Sequence, residues 1–337
     1  RFRGRSLILA VLLFLLAMGA PLAITQVSVS SPKETIQLIE QGRERYQARQ
    51  FEEAAKAWQQ AAETFAAQGD SLNQAMALSN LSLTYQHLGK WDEAHQAINE
   101  SLNLLKSQQK TPEQLQILAS TVDIQGQLQL AVGQSEAALE TWQQAADIYA
   151  NLGNQDGEMR SHINQAQAMQ ELGLYPRACE TLLDVLKLNH QDCSISQKDF
   201  QLLKERQASP LQILGLRSLG NVLRVVGQTE QSQMVLLASW QFAQQLGDSQ
   251  NLAAIYLSLG NIARALGNQK VQQEEQSLEP VALTHPIDCI QGATNGTAMA
   301  FYQQAATCYR QAESSASPIT SIQAQLNLLS LLVQTQQ

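Results

Sequence analysis

From about residue 34 to the end of the chain, bulky apolar side chains recur with a helical period, and small residues interrupt them at a regular beat. Aligned on that beat, the small positions are Gly42, Ser82, Gly126, Ala166, Gly220 and Gly260, with Leu329 as a weaker seventh, and most steps are 40 or 44 residues. Another small residue stands twelve positions after each of the first five, at Ala54, Ala94, Ala138, Ala178 and Ser232. Helices that cross closely need small side chains at the contact, so each unit reads as a helix hairpin. Four positions further on comes a large apolar residue, at Trp58, Ile98, Trp142, Leu182 and Leu236. Three more bring a small one again, at Ala61, Ser101, Ala145 and Ser239. This spacing lays one apolar stripe along the second helix of every pair. Gly69, Gly153 and Gly247 are placed to end helices as left-handed caps.

The segments "RSLGNVLRVVG" (217–227) and "LSLGNIARALG" (257–267) share Ser, Leu, Gly, Asn, Arg and a closing Gly at a 40-residue offset. No strand pattern precedes either, which excludes a phosphate-binding loop and leaves the glycines of "SLGN" as packing residues inside helices. The rhythm breaks twice. The step from Ala166 to Gly220 is 54 residues, with the excess around "NHQDCSISQKDF", and the stretch 268–296 separates the halves of the sixth unit. The second helix resumes as "AMAFYQQAATCYRQA", with Ala298, Tyr302 and Ala305 in the expected columns.

At this point the chain resembles the tetratricopeptide repeat family. "NLSLTYQHLGKWDEAHQAINESL" (80–102), "GLYPRACETLLDVL" (173–186) and the two segments above follow the family order: small, aromatic or apolar, turn glycine, alanine, large apolar, small. It departs in a period nearer 40 than 34 and in lacking the usual repeat-ending proline. The resemblance implies an all-α solenoid of antiparallel helix pairs wound into a right-handed superhelix. Repeats one to four fall at 34–189, an insertion at 190–209, and repeats five and six at 210–337 with the insertion 268–296 and a truncated seventh repeat, both insertions being expected to leave the array as loops. "LRSLGNVLR" and "SLGNIARALG" in an exported array further resemble the amino-terminal part of bacterial proteins that end in a CHAT module, a caspase-like peptidase. That likeness implies a regulatory or targeting region, with the catalytic residues outside this sequence. "ITSIQAQLNLLSLLVQTQQ" reads as a first helix lacking its second, so the chain is expected to continue.

Composition narrows the function. The 337 residues are rich in Gln, Ala and Leu, and a net charge of -8 disfavours nucleic acid as a partner. Arg1, Arg3 and Arg5 precede the apolar run Leu7 to Ala23, so residues 1–25 fit a cleaved secretory signal or an uncleaved membrane anchor. The protein is therefore expected to be periplasmic or extracellular, and to meet a membrane only through that segment. In such a compartment four cysteines favour disulfides, and chain reach favours Cys179 with Cys193 and Cys289 with Cys308.

No metal, cofactor or catalysis is expected. "HPIDC" (His285, Asp288, Cys289) matches no zinc spacing, and His190 with Cys193 lacks a recognised nucleophile turn. Asn295-Gly-Thr297 fits a glycosylation acceptor, a three-residue match that arises by chance. The polar set that points to binding is Arg217, Asn221 and Arg224, at i, i+4 and i+7, repeated by Asn261 and Arg264. In the family the columns one and four after the small residue, here Asn221 with Arg224 and Asn261 with Arg264, line the concave groove, which implies a protein or peptide partner, and Arg with Asn on that face suits a carboxylate-bearing, acidic segment. Asn80, Asn164 and Asn327, two positions before the small residue, read as structural.

Overall fold

The computed structural model describes residues 32–106, 111–188, 193–274, 287–291, 296–315 and 317–335. The amino-terminal segment, His190, His285 and Asn295 lie outside them. The described residues form fourteen helices and no strand. The first four pairs are α1 (Pro32–Gln47) with α2 (Phe51–Gln68), α3 (Ser71–His87) with α4 (Trp91–Lys106), α5 (Pro112–Ala131) with α6 (Ser135–Asn151), and α7 (Gln155–Glu171) with α8 (Tyr175–Val185). A short α9 (Gln197–Lys204) precedes α10 (Pro210–Val225) with α11 (Thr229–Leu246). The sixth pair is α12 (Ser249–Glu274) with α13 (Ala298–Glu313), and α14 (Pro318–Gln334) is the last described helix. None of these helices is long and apolar enough to cross a membrane.

The two kinds of junction differ in chemistry. Inside a pair, the residue seven after the small position turns the chain in the left-handed region: Gly89 (φ 68), Gly133 (φ 81), Gly173 (φ 73) and Gly227 (φ 86), with Arg49 (φ 59) in the first pair. The next amide then reaches back to an unpaired carbonyl, as from Lys90 to Tyr85 (3.0 Å) and from Gln228 to Leu223 (2.8 Å). Between pairs, side chains cap the incoming first helix. Asp70 accepts from the amide of Asn73 (3.1 Å), Thr111 from Gln114 (3.2 Å), Asn154 from Gly157 (2.9 Å), Ser209 from Gln212 (3.2 Å) and Asp248 from Asn251 (3.0 Å).

The small columns meet at the helix crossings as expected. A Cβ on Gly42, Gly126 or Gly220 would lie 2.7, 2.6 and 2.6 Å from Trp58, Trp142 and Leu236. Where serine occupies a column, its buried hydroxyl bonds a carbonyl of the facing helix, from Ser82 to Ala94 (2.8 Å) and from Ser232 to Gly220 (2.5 Å). A buried hydroxyl left unpaired would cost about 1–3 kcal/mol, so these bonds make serine acceptable where other repeats carry glycine or alanine.

Three local expectations are corrected. First, Tyr309 rather than Tyr302 packs on Gly260, at 2.6 Å from an added Cβ, while Tyr302 packs on Gly267 at the same distance. The sixth crossing is therefore shifted by two helical turns. Second, residues 268–274 do not leave the array but extend α12 to Glu274. Third, the 190–209 insertion carries α9, started by a Ser196/Asp199 capping box. Its Phe200 and Leu203 join the main core, and Arg206 donates to the carbonyls of Leu186 and Lys187 at the end of α8. The cysteines pair as expected, Cys179 with Cys193 (Cα–Cα 5.7 Å) and Cys289 with Cys308 (5.0 Å). Arg49 also donates to Gln250 (3.0 Å), which ties the first hairpin turn to the start of α12.

Candidate binding groove

Four first helices, α7, α10, α12 and α14, line a concave cavity of about 320 Å³. Leu214 and Leu257 supply apolar wall, and Asn164, Gln167, Arg217, Ser218, Asn221 and Ser258 supply polar atoms. Arg217 is the one cation among the lining residues and Glu171 the one carboxylate. The Arg217 side chain is enclosed by protein yet open to the cavity, and its guanidinium has no hydrogen-bond partner among the described residues. Burial pulls its pKa below the ordinary guanidinium value, and Asp248 acts in the opposite direction. A cation half-buried in such a cavity attracts an anion at lower desolvation cost than a fully exposed arginine would.

The five residues singled out from the sequence divide. Arg217 and Asn221 face the cavity. Arg224, one turn further along α10, keeps a buried Nε without a partner among the described residues. Asn261 and Arg264 instead clamp α14. The Asn261 carbonyl accepts from the Tyr309 hydroxyl (2.9 Å) and from Asn327 (3.0 Å), and Arg264 donates to Gln334 (2.8 Å) and Ser330 (3.1 Å). One turn on, Asn268 accepts from Tyr302 (2.9 Å) and Gln334 (2.7 Å). Burial pushes the Tyr309 hydroxyl up to about 12, with Arg264 and Arg224 pulling it down. It therefore stays a donor throughout the neutral range.

Sequence reasoning passed over Gln167 and Gln170, which also line the cavity. They hold the same columns in the fourth repeat, one and four after Ala166, that Asn221 and Arg224 hold after Gly220. Asn164 lines the cavity and also donates to Asp123 (3.2 Å), so it combines the structural role expected of it with a surface role. Asp123 is itself buried and lies 3.8 Å from Arg160. Burial raises its pKa, and Arg160 and Asn164 lower it. Among the described residues, no three His, Cys, Asp or Glu side chains are grouped to hold a metal ion.

A family model described as tetratricopeptide repeat matches residues 43–107. No curated protein matches the chain. Among solved structures, the apo form of RapI is 13% identical and covers 90% of this chain and 97% of its own, with a TM-score of 0.54. A Rap protein complexed with competence and sporulation factor is 13% identical, over 91% of this chain and 77% of that one, with a TM-score of 0.55. Kinesin light chain TPR-like repeats from Podosopora anserina are 18% identical, over 65% and 99%, with a TM-score of 0.50. These likenesses establish a nearly all-helical, TPR-like solenoid, and the family match supports tetratricopeptide repeats in its first two hairpins.

Proposed function

We propose that the protein is an exported, non-catalytic scaffold that holds a carboxylate-bearing peptide segment in the concave groove at Arg217 and Asn221. The observation that carries this reading is Arg217, a half-buried guanidinium without a hydrogen-bond partner among the described residues, beside Asn221 in a cavity walled by four first helices. TPR-like solenoids serve widely as interaction scaffolds, and the Rap structure of similar fold is titled as a complex with competence and sporulation factor. Export draws support from the two disulfides and from the basic then apolar layout of residues 1–25. The likeness of "LRSLGNVLR" and "SLGNIARALG" to arrays that precede CHAT modules favours a narrower role, in which the groove targets or regulates a caspase-like peptidase.

Fluorescence anisotropy with a library of short acidic peptides tests the groove. Each charge-assisted hydrogen bond lost should cost about 1.5–3 kcal/mol, or roughly 10- to 150-fold in Kd, in Arg217→Ala. A control at exposed arginines, Arg43→Ala with Arg177→Ala, should cost under about 1 kcal/mol at matched salt. Equal losses in both variants, or acidic peptides that bind no better than their Gln/Asn analogues, would remove the reading. The narrower role requires that a purified CHAT module bind the array and that Arg217→Ala weaken that binding.

A further inference from the structure

A second cavity, of about 420 Å³, lies in the furrow between the first two hairpins. Its walls come from the second helices α2 and α4 and from α3 between them, whereas the Arg217 cavity is walled by first helices. The floor is apolar and buried: Ala62 on α2, Leu78 and Leu81 on α3, and Ala97 on α4. Around it stand three exposed carboxylates, Glu63 on α2 with Glu93 and Glu100 on α4. No lining residue is a cation, and none of the three carboxylates joins an ion pair among the described residues. The Lys90 ammonium lies instead over the ring of Tyr85, another lining residue, 5.8 Å from its centroid.

Both the space and the charge belong to this furrow and not to the later ones. Ala62 and Ala97 stand where the second furrow has Leu102 with Thr141, the third Ala146 with Thr181, and the fourth Leu186 with Val235. Two alanines meet only in the first, and in the fourth the larger pair is buried as packing. The columns of Glu63, Glu93 and Glu100 hold Asn103, Ala137 and Gln144 in the second furrow. In the third they hold Asp147 and Asp184 with Arg177 between them, and in the fourth Lys187, Gln231 and Ala238. Small residues elsewhere in the array serve close helix crossings, whereas here they leave open space under an acidic rim.

We infer that this furrow docks a basic segment of a partner protein, with a lysine or arginine stem laid on Leu78 and Leu81 and its cationic head among Glu63, Glu93 and Glu100. Lys and Arg join an apolar stem to a charged tip, which matches an apolar floor beneath an acidic rim. Carboxylates gathered on one sign of charge draw a cation toward the furrow, and a guanidinium can take one of them with two parallel hydrogen bonds. An acidic segment would meet like charges, and a purely apolar one would strip water from the carboxylates and return nothing to them. The furrow differs from the Arg217 cavity in its helices and in the sign of its charge, and either can be occupied without the other.

Fluorescence anisotropy tests this, using the full chain and short labelled peptides that carry Lys or Arg among Leu and Ala, each beside an analogue with Gln in place of every basic residue. The basic peptides should bind at least about 10-fold more tightly than their analogues. Glu63→Gln with Glu100→Gln should lose about 10-fold in affinity at an unchanged melting temperature, because both side chains are exposed. Glu136→Gln with Glu140→Gln removes the same charge from exposed positions on α6 and should lose less than about 3-fold. Ala66→Trp adds bulk at an exposed lining position without changing charge, and it should also weaken binding. Basic peptides that bind no better than their Gln analogues overturn the inference. An equal loss in the α6 control, which would reduce the effect to the net charge of -8, overturns it too, as does an affinity that Ala66→Trp leaves untouched.

Discussion

The fifth and sixth repeats share six of eleven residues around the crossing and use them differently. In the fifth, Gly220 packs under Leu236, and Gly227 turns the chain with φ 86 straight into α11. In the sixth, Gly260 packs under Tyr309, and Gly267 stays inside α12 with Tyr302 against it. The difference lies downstream. Thr229 opens a partner helix at once, whereas "NQKVQQE" after Gly267 is itself helix-forming and α13 begins only at Ala298. A left-handed cap satisfies the last carbonyls only where the chain turns, and without a turn the helical bonds simply continue. Asn221, opposite a leucine that cannot hydrogen-bond, is left to the cavity. Asn261, opposite a tyrosine, is taken into the scaffold.

Removing the bridges should disturb this contrast most. A loop of about 15 residues contributes roughly 3 kcal/mol in the chain-entropy model, so Cys289→Ser with Cys308→Ser, and separately Cys179→Ser with Cys193→Ser, should each lower urea stability by about that much. If the bridge on α13 also holds the shifted crossing, only the first double variant should alter hydrogen exchange around Tyr302 and Tyr309. Unchanged midpoints in both would mean the loops are closed by packing alone.

The glycines come next. Gly220→Ala and Gly260→Ala each force a Cβ to 2.6 Å from Leu236 or Tyr309 and should cost about 1–3 kcal/mol. Gly227→Ala meets no atom within 4 Å and should cost about 1–2 kcal/mol through backbone conformation alone. Tyr302→Leu should rescue Gly267→Ala and leave Gly227→Ala unrescued. Thermal melts of the four combinations decide, and equal rescue of both glycines would erase the distinction between the repeats.

Tyr309→Phe keeps the ring on Gly260 but removes the donor to Asn261, so a loss of about 0.5–1.5 kcal/mol is expected. No equivalent bond exists at Leu236, and Leu236→Met should cost less than about 1.5 kcal/mol. The smallest effect concerns the turn column in the first repeat, where Arg49 stands at φ 59 beside His87. Burial, then Arg49, holds the His87 pKa below its ordinary value, while the ring stacks on Phe51 (4.6 Å) and bonds the Tyr46 hydroxyl (2.8 Å). The unfolded chain then takes up the proton first. Stability is full above about pH 6.5 and declines as pH falls below it, slightly for so exposed a ring, and His87→Gln should flatten that decline in melts between about pH 7.5 and about 5.5.

The hairpin columns were legible because a close crossing accepts only small side chains, a constraint that single residues such as Ala94, Ala138 and Ser232 display. The disulfide pairing was legible from chain reach. Three things were not. The shifted sixth crossing was hidden because Tyr302 and Tyr309 stand seven residues apart, on one face, and either could cover Gly260. The helix α9 was hidden because eight residues carry little periodic signal. The split among the groove residues depended on which side chain lay opposite each asparagine, a fact of long-range pairing that Asn221 and Asn261 do not encode themselves.

Each bridge closes within its own neighbourhood, 14 residues apart for Cys179–Cys193 and 19 for Cys289–Cys308. Drawn out by its ends, the chain would keep only those two short lengths folded back, roughly 50 and 65 Å of extended contour at about 3.4 Å per residue. Every helix pair outside them remains free to unravel layer by layer, so the bridges act as two knots on a rope and leave the compliance of the remaining array untouched.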